Sequence, residues 1–105
     1  MIDGTLAALA DPTRRRMVEL LGQRPHRAGE LALAVGMSRP ALSRHLRVLR
    51  ERGLADEQRD PTDGRGRIYA LRPAAVIELR DWLDEVQQFW DEQLDAFAAH
   101  VERPS

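Results

Sequence analysis

Between Ser38 and Leu54 the chain reads SRPALSRHLRVLRERGL, with arginines at 39, 44, 47, 50 and 52 interleaved among leucines at 42, 46 and 49. A guanidinium group is a planar fork of hydrogen-bond donors that matches phosphate oxygens and the edge of guanine. The chemistry this spacing offers is therefore non-covalent recognition of an anion. Residue types for covalent chemistry are missing. The chain has no cysteine, which removes disulfides, thiolate metal sites and cysteine nucleophiles together. It has no Gly-x-Ser-x-Gly elbow, no phosphate loop and no paired histidines, and the carboxylates of its last third are spaced as a solvated helix face. The expectation is a protein that is not an enzyme and needs no cofactor. His26 falls in the polar turn QRPHR, His45 at the edge of the arginine-rich segment and His100 near the end. Such isolated histidines do not make a metal site, and His45 suits packing and phosphate contact better than ligation.

The formal net charge of -1 hides an uneven distribution. Residues 1–37 hold 5 Arg and 4 acids, residues 38–72 hold 9 Arg and 5 acids, and residues 73–105 hold 2 Arg and 8 acids. A basic middle facing a polyanion, with the acidic end turned away, accounts for this asymmetry. All 16 basic residues are arginine, a bias that base composition explains as readily as chemistry. No apolar run approaches about 18 residues and no signal-peptide pattern opens the chain, so a soluble, cytoplasmic, single-domain protein is expected over residues 1–105.

The elements that must position the arginines follow from caps and periodicity. Asp3 opens a short helix, about 3–10, with Ile2, Leu6 and Leu9 on one side. Asp11 then caps a second helix with Pro12 in its first turn, where the missing N–H costs nothing; Met17, Val18, Leu20 and Leu21 are its apolar set and Gly22 its end. A third helix, about Ala28 to Val35, buries Leu31, Val35 and either Ala32 or Ala34. Gly36 supplies the positive φ of a sharp turn. Ser38 caps the arginine-rich helix, Pro40 lies in its first turn and Gly53 closes it. The helix-turn-helix thus spans about 28–52. Two β-compatible runs, LADEQR and GRIYAL, flank the turn DPTDGRG as a two-stranded hairpin, about 54–71. From Pro73 to about Glu102, Leu79, Leu83, Val86, Trp90, Leu94, Phe97 and Val101 recur at the spacing of one long amphipathic helix. The fold class is mainly α, a winged helix-turn-helix with a β-hairpin wing and helices at both ends.

Stepping about 100° per residue from Leu42 places Leu46 and Leu49 in one stripe and Pro40, Arg44, Arg47 and Glu51 near the opposite side. The exposed half offers small residues, Ser38, Ala41 and Ser43, beside the long donors Arg39, Arg44 and Arg47. A helix of this shape can lie close in a major groove while its guanidiniums reach bases or phosphates. Arg59, Arg65 and Arg67 surround the hairpin tip and suit a wing on the DNA backbone or in the minor groove. Candidate DNA-binding residues are therefore Ser38, Arg39, Pro40, Ala41, Ser43, Arg44, His45, Arg47, Arg59, Arg65 and Arg67. Arg50 and Arg52 complement the helix dipole or neighbouring acids instead.

The segments LADPTRRRMVELL, GELALAVGMSRPALSRHLRVLRERGL and GRIYAL resemble the ArsR-type winged helix-turn-helix repressors of bacteria, and the resemblance covers nearly the whole chain. The ending WLDEVQQFWDEQLDAF is similar to a branch without metal sites. The resemblance implies a homodimeric repressor that binds its operator through the second helix and the wing and is released by some signal, with an unidentified small-molecule or protein effector. The cysteine-bearing metal motif of the arsenic-type members falls at Leu31 to Val35, where nothing can ligate. The histidine-rich alternative on the last helix is missing too, because His100 is the only histidine after His45. Two features depart from the family pattern. Arg72 stands before Pro73 where a capping Asp or Asn is common, and the wing tip is long and carries Asp60 and Asp63.

A last helix of about 30 residues is about 45 Å long and overhangs a compact domain of this size. Leu6, Leu9, Trp82, Val86, Phe89, Trp90, Leu94 and Phe97 are the candidate dimer interface, and two-fold pairing would present two recognition helices to an inverted repeat. The partners expected are double-stranded DNA and a second copy, with no membrane. An alternative is a winged-helix module that binds a protein through its acidic last helix and does not bind DNA. Such a module has no need of Arg39, Arg44 and Arg47 beside small residues.

Overall fold

The computed structural model describes residues 2–102. The elements run α1 (Ile2–Leu9), α2 (Pro12–Gln23), α3 (Ala28–Val35), α4 (Arg39–Glu51), β1 (Ala55–Arg59), β2 (Arg67–Leu71) and α5 (Pro73–Glu102). The winged helix-turn-helix expected from the sequence is what forms.

Local chemistry explains the boundaries. The Asp11 carboxylate accepts the Arg14 backbone N–H at 3.1 Å, and Pro12 occupies the first turn of α2. This hydrogen bond is the main reason the Asp11 carboxyl titrates below its ordinary range. Helix α2 runs to Gln23, one residue past the expected stop, because Gly22 stays helical and the ladder continues to the Arg24 N–H, which donates to the Leu20 C=O. Among the described residues only Gly36 and Gly53 adopt positive φ, 69° and 75°, and each closes a helix. At α4 the Ser38 hydroxyl accepts the Ala41 N–H at 3.3 Å, a cap of a kind worth about 1 kcal/mol.

Strands β1 and β2 pair antiparallel from Ala55↔Leu71 to Arg59↔Arg67. A short third edge joins them. His26 and Tyr69 exchange backbone hydrogen bonds of 3.0 and 2.8 Å, and His26 is only 5% exposed. His26 is therefore not a turn histidine as the sequence suggested. It ties the segment between α2 and α3 to the wing, and its Nδ1 lies 2.8 Å from the Arg24 C=O.

Met17, Leu31, Leu42, Leu49 and Leu54 are the largest fully buried side chains, drawn from α2, α3, α4 and the approach to β1. Ala32, not Ala34, is the alanine that α3 buries beside Leu31. In α1 the buried residues are Thr5 and Ala8, while Leu6 stays exposed and Leu9 packs partly against the core. Helix α5 begins directly on Pro73. Its first turn has no carboxylate cap; the Arg72 N–H donates to the Leu54 C=O and the Arg72 C=O accepts the Ala75 N–H. The described residues span 72 × 25 × 21 Å, a length set by α5 running beyond the packed helices.

Candidate nucleic-acid interface

The exposed side of α4 is built from its buried side. Leu42, Leu46 and Leu49 lie at or below 3% exposure, which fixes the rotation of the helix and turns Ser43, Arg44 and Arg47 outward with Pro40 beside them. Ser38 and Arg39 are exposed at the N-terminal end, and Ala41 is half-buried. The side chains of Arg39, Arg44, Arg47, Arg59 and Arg65 form no ion pair or hydrogen bond among the described residues. They are cations held on a fixed frame with their donors unspent.

The remaining arginines are spent on the frame. Arg50 and Arg67 both meet Glu57, at 3.1 and 3.4 Å, so one carboxylate of β1 links α4 to β2. Arg67 thus stands among the candidate DNA contacts but is already half-engaged by the wing. Arg50 pairs with an acid, as expected. Arg52 does not: it has no ion pair among the described residues, and its stem lies over Gly4 of α1, where an added Cβ would meet its Cδ at 3.3 Å.

Arg39 also differs from its sequence reading. It projects about 60° from Leu42 around the helix, on the edge that faces the wing and not on the outward side. There it lines a notch with Arg27 and Arg67. Arg44 is the outward arginine, and Arg47 lies between the two positions, lining a second crevice with Ser43 and Tyr69.

Two residues that sequence reasoning missed hold this face in place. Arg27 donates to the Asp60 carboxylate through Nε at 3.0 Å and through Nη2, and reaches Asp63 at 3.5 Å. Asp60 also accepts the Thr62 N–H and hydroxyl at 2.9 and 2.8 Å, and the Asp63 carboxylate accepts the Arg65 N–H at 3.1 Å. The acidic wing tip is thus a latch. The Thr62 donors first and Arg27 second hold the Asp60 carboxyl down at about 2. Arg14 is the second. Its Nε donates to the Ala8 C=O at 2.7 Å and its Nη1 lies 3.3 Å from His45 Nδ1, so it spans α1 and α4. His45 is accordingly half-buried against α2 on the edge of α4 away from the wing. The aspartates of a basic wing and the first of three consecutive arginines in α2 carry no sequence signal of these pairings, because the partners are 33 and 31 residues apart.

On α5, Ala75 is buried and Trp82 and Val86 are half-buried within the chain itself. Beyond them Phe89, Trp90, Leu94 and Phe97 are 54, 57, 60 and 66% exposed, and Leu6 of α1 is 36% exposed. Leu9 packs partly against the core. At these exposures Phe89, Trp90 and Phe97 do not close the chain's own core. Among the described residues no group of three or more His, Asp or Glu could hold a metal ion, and no helix is long and apolar enough to cross a membrane.

Known proteins carry the same arrangement. A profile of bacterial regulatory proteins of the arsR family matches residues 11–57. The HTH-type transcriptional regulator Rv2034 of Mycobacterium tuberculosis is 40% identical over 95% of this chain and 88% of its own. An ArsR-like transcriptional regulator from Rhodococcus sp. superposes with a TM-score of 0.76 at 27% identity, over 98% of this chain and 93% of that one. A homodimeric winged helix-turn-helix DNA-binding domain from Mycobacterium bovis superposes with a TM-score of 0.62 at 25% identity, over 99% and 87%. With the capped recognition helix, the wing and the long last helix in the same order, the chain belongs to the ArsR family of bacterial regulatory proteins and is a DNA-binding transcriptional regulator, not an enzyme.

Proposed function

We propose that the protein is a cytoplasmic homodimeric repressor that binds an inverted-repeat operator in double-stranded DNA. The observation that carries this reading is the set of arginines on α4 and the wing with no partner among the described residues, beside small residues that allow close approach to a groove. Arg44 and Arg47, with Ser38, Pro40, Ala41 and Ser43 around them, enter the major groove. Arg59 and Arg65 on the wing reach the backbone, and His45 packs behind the recognition helix at its edge.

The dimer is built from α1 and α5. Leu6, Leu9, Trp82, Val86, Phe89, Trp90, Leu94 and Phe97 contribute, and most of that surface is uncovered in one chain. A two-fold axis between two copies sets two recognition helices on half-sites about one helical turn apart. The mycobacterial relative that is a homodimeric DNA-binding domain supports this assembly. Repression ends when a small molecule or protein effector weakens binding.

The test is a salt titration of binding to the protein's own promoter DNA and to a random duplex. Phosphate neutralisation makes log K fall steeply and linearly with log salt, with a slope of about -0.9 per neutralised phosphate. Weak binding at low salt with no slope would sink the reading and favour a protein-interaction module.

A further inference from the structure

A notch of about 370 Å³ lies where the start of α3, the first turn of α4 and strand β2 meet. Its walls include the side chains of Arg27, Arg39 and Arg67, contributed by three segments distant in sequence, with Gly29, Glu30 and Tyr69 between them. Three guanidiniums around one opening repel one another, so such an arrangement costs free energy unless something else is gained by it.

The acids nearby are already occupied. Glu30, the one carboxylate of the lining, accepts the Arg27 N–H at 3.0 Å through one oxygen and Arg24 Nη2 at 2.8 Å through the other. Asp60 and Asp63 hold Arg27, and Glu57 is shared between Arg67 and Arg50. Arg39 has no partner among the described residues. The start of α3, Ala28, Gly29 and Glu30, also lines the notch. The first intrahelical bond of α3 runs from the Leu31 N–H to the Arg27 C=O, which leaves the N–H groups of Ala28, Gly29 and Glu30 outside the ladder. Gly29 keeps this lining bare, and a Cβ there would stand 3.5 Å from Arg39 Nη1.

Two further features say what kind of anion belongs here. The notch is open and larger than one phosphate group, so it does not enclose a free ion. Tyr69 lines both this notch and the adjoining crevice along α4, whose walls are Ser43, Leu46, Arg47 and Arg50. Tyr69 is a wall common to the two cavities, so arginines line openings from the wing to α4, which suits an anion carried on a polymer.

We propose that this notch seats one backbone phosphate of DNA in each half-site, with Arg39 and the free N–H groups of α3 donating to it and Arg27 and Arg67 supplying fixed positive charge. The proposal rests on the DNA-binding reading above. It adds Arg27 and Gly29 to the interface and makes Arg39 a backbone anchor that sets register, not a reader of bases.

The decisive variant is Gly29→Glu. It places a carboxylate in the second position of α3, where an acid agrees with the helix dipole and the fold is retained, and it fills the seat with negative charge. On an operator obtained by binding-site selection and on a random duplex, Gly29→Glu is expected to lose the same factor, about fivefold or more, with thermal melting unchanged. Arg39→Ala should lower the log K against log salt slope by about 0.9 while leaving the base preference intact at every position. Methylphosphonate replacement of single phosphates should find one position per half-site that weakens the parent protein and has no further effect on Arg39→Ala. Parent-like slopes in both variants, with Arg44→Ala still altering base preference, would overturn the notch and leave the DNA reading standing. A changed base preference in Arg39→Ala would overturn it as well. Saturation of the Gly29 amide by inorganic phosphate alone at submillimolar concentration and fixed ionic strength would assign the seat to a free anion instead. If the parent binds neither duplex at low salt, the DNA reading and the notch fall together.

Discussion

Residues 38–72, with nine arginines against five acids, and the last helix, with eight acids in residues 73–105, are unfinished in different ways. The basic region is rigid and complete as a structure. Its leucines are buried, its caps are made, and Arg27, Arg50 and Arg67 are tied to wing carboxylates, so what remains unsatisfied is charge. The last helix has satisfied backbone but unsatisfied apolar surface, with Phe89, Trp90, Leu94 and Phe97 more than half exposed. Unspent donors on a fixed frame recognise an anion that is already shaped. Uncovered aromatic side chains need a second surface to be covered at all. The difference also explains how a chain of net charge -1 can bind DNA, since the acids lie on the element that faces elsewhere.

The largest effect is expected where dimerisation couples the two regions. Replacing Trp90 and Leu94 together by Ala should give a monomer in sedimentation, and operator affinity should fall by about 100-fold or more as the second half-site contact becomes intermolecular. A fully dimeric double mutant would move the interface elsewhere. Next in size, Arg44→Ala should cost about 1 to 3 kcal/mol of binding and relax preference at one operator position, measured by competition with single-base variants. An equal loss on every sequence would make Arg44 a backbone contact. Arg65→Ala should weaken all sequences alike and reduce the salt slope by about 0.9. If it leaves the slope unchanged, Arg65 does not touch phosphate. The smallest effect concerns acid. Asp60 titrates at about 2 in place of its ordinary 3.8, so the latch contributes fully above that ordinary value and is lost as pH falls through the folded one. Amide exchange of the wing tip should therefore rise between about pH 4 and 2 while the α4 core stays protected, and Asp60→Asn should show the loosened wing at neutral pH.

The elements were legible because their signals are local. Asp11, Ser38, Gly36 and Gly53 each act within one turn of chain, and the α5 repeat is a periodicity that the helix retains. What the sequence could not place were contacts between distant segments. The His26 to Tyr69 bridge, the Arg27 to Asp60 latch and the Arg14 link to His45 each join residues more than 30 positions apart. Exposure and length grouped Arg39 with Arg44 and Arg47 as groove donors, although its helical phase, about 60° from Leu42, already sets it at the edge of α4 where the notch with α3 and the wing lies. In α1, Thr5 and Ala8 turn inward, residues outside the apolar set read from the sequence, while Leu6 stays exposed on the side assigned to a second copy.

Arg14 joins two parts of the molecule with separate tasks. One side chain hydrogen-bonds the last turn of α1 and touches His45 on the recognition helix. No flexible tether separates the helix that would meet a second copy from the helix that would meet the groove. In the proposed dimer, a tilt of α1 would reach α4 through this one side chain and alter the spacing of the two helices that meet the half-sites.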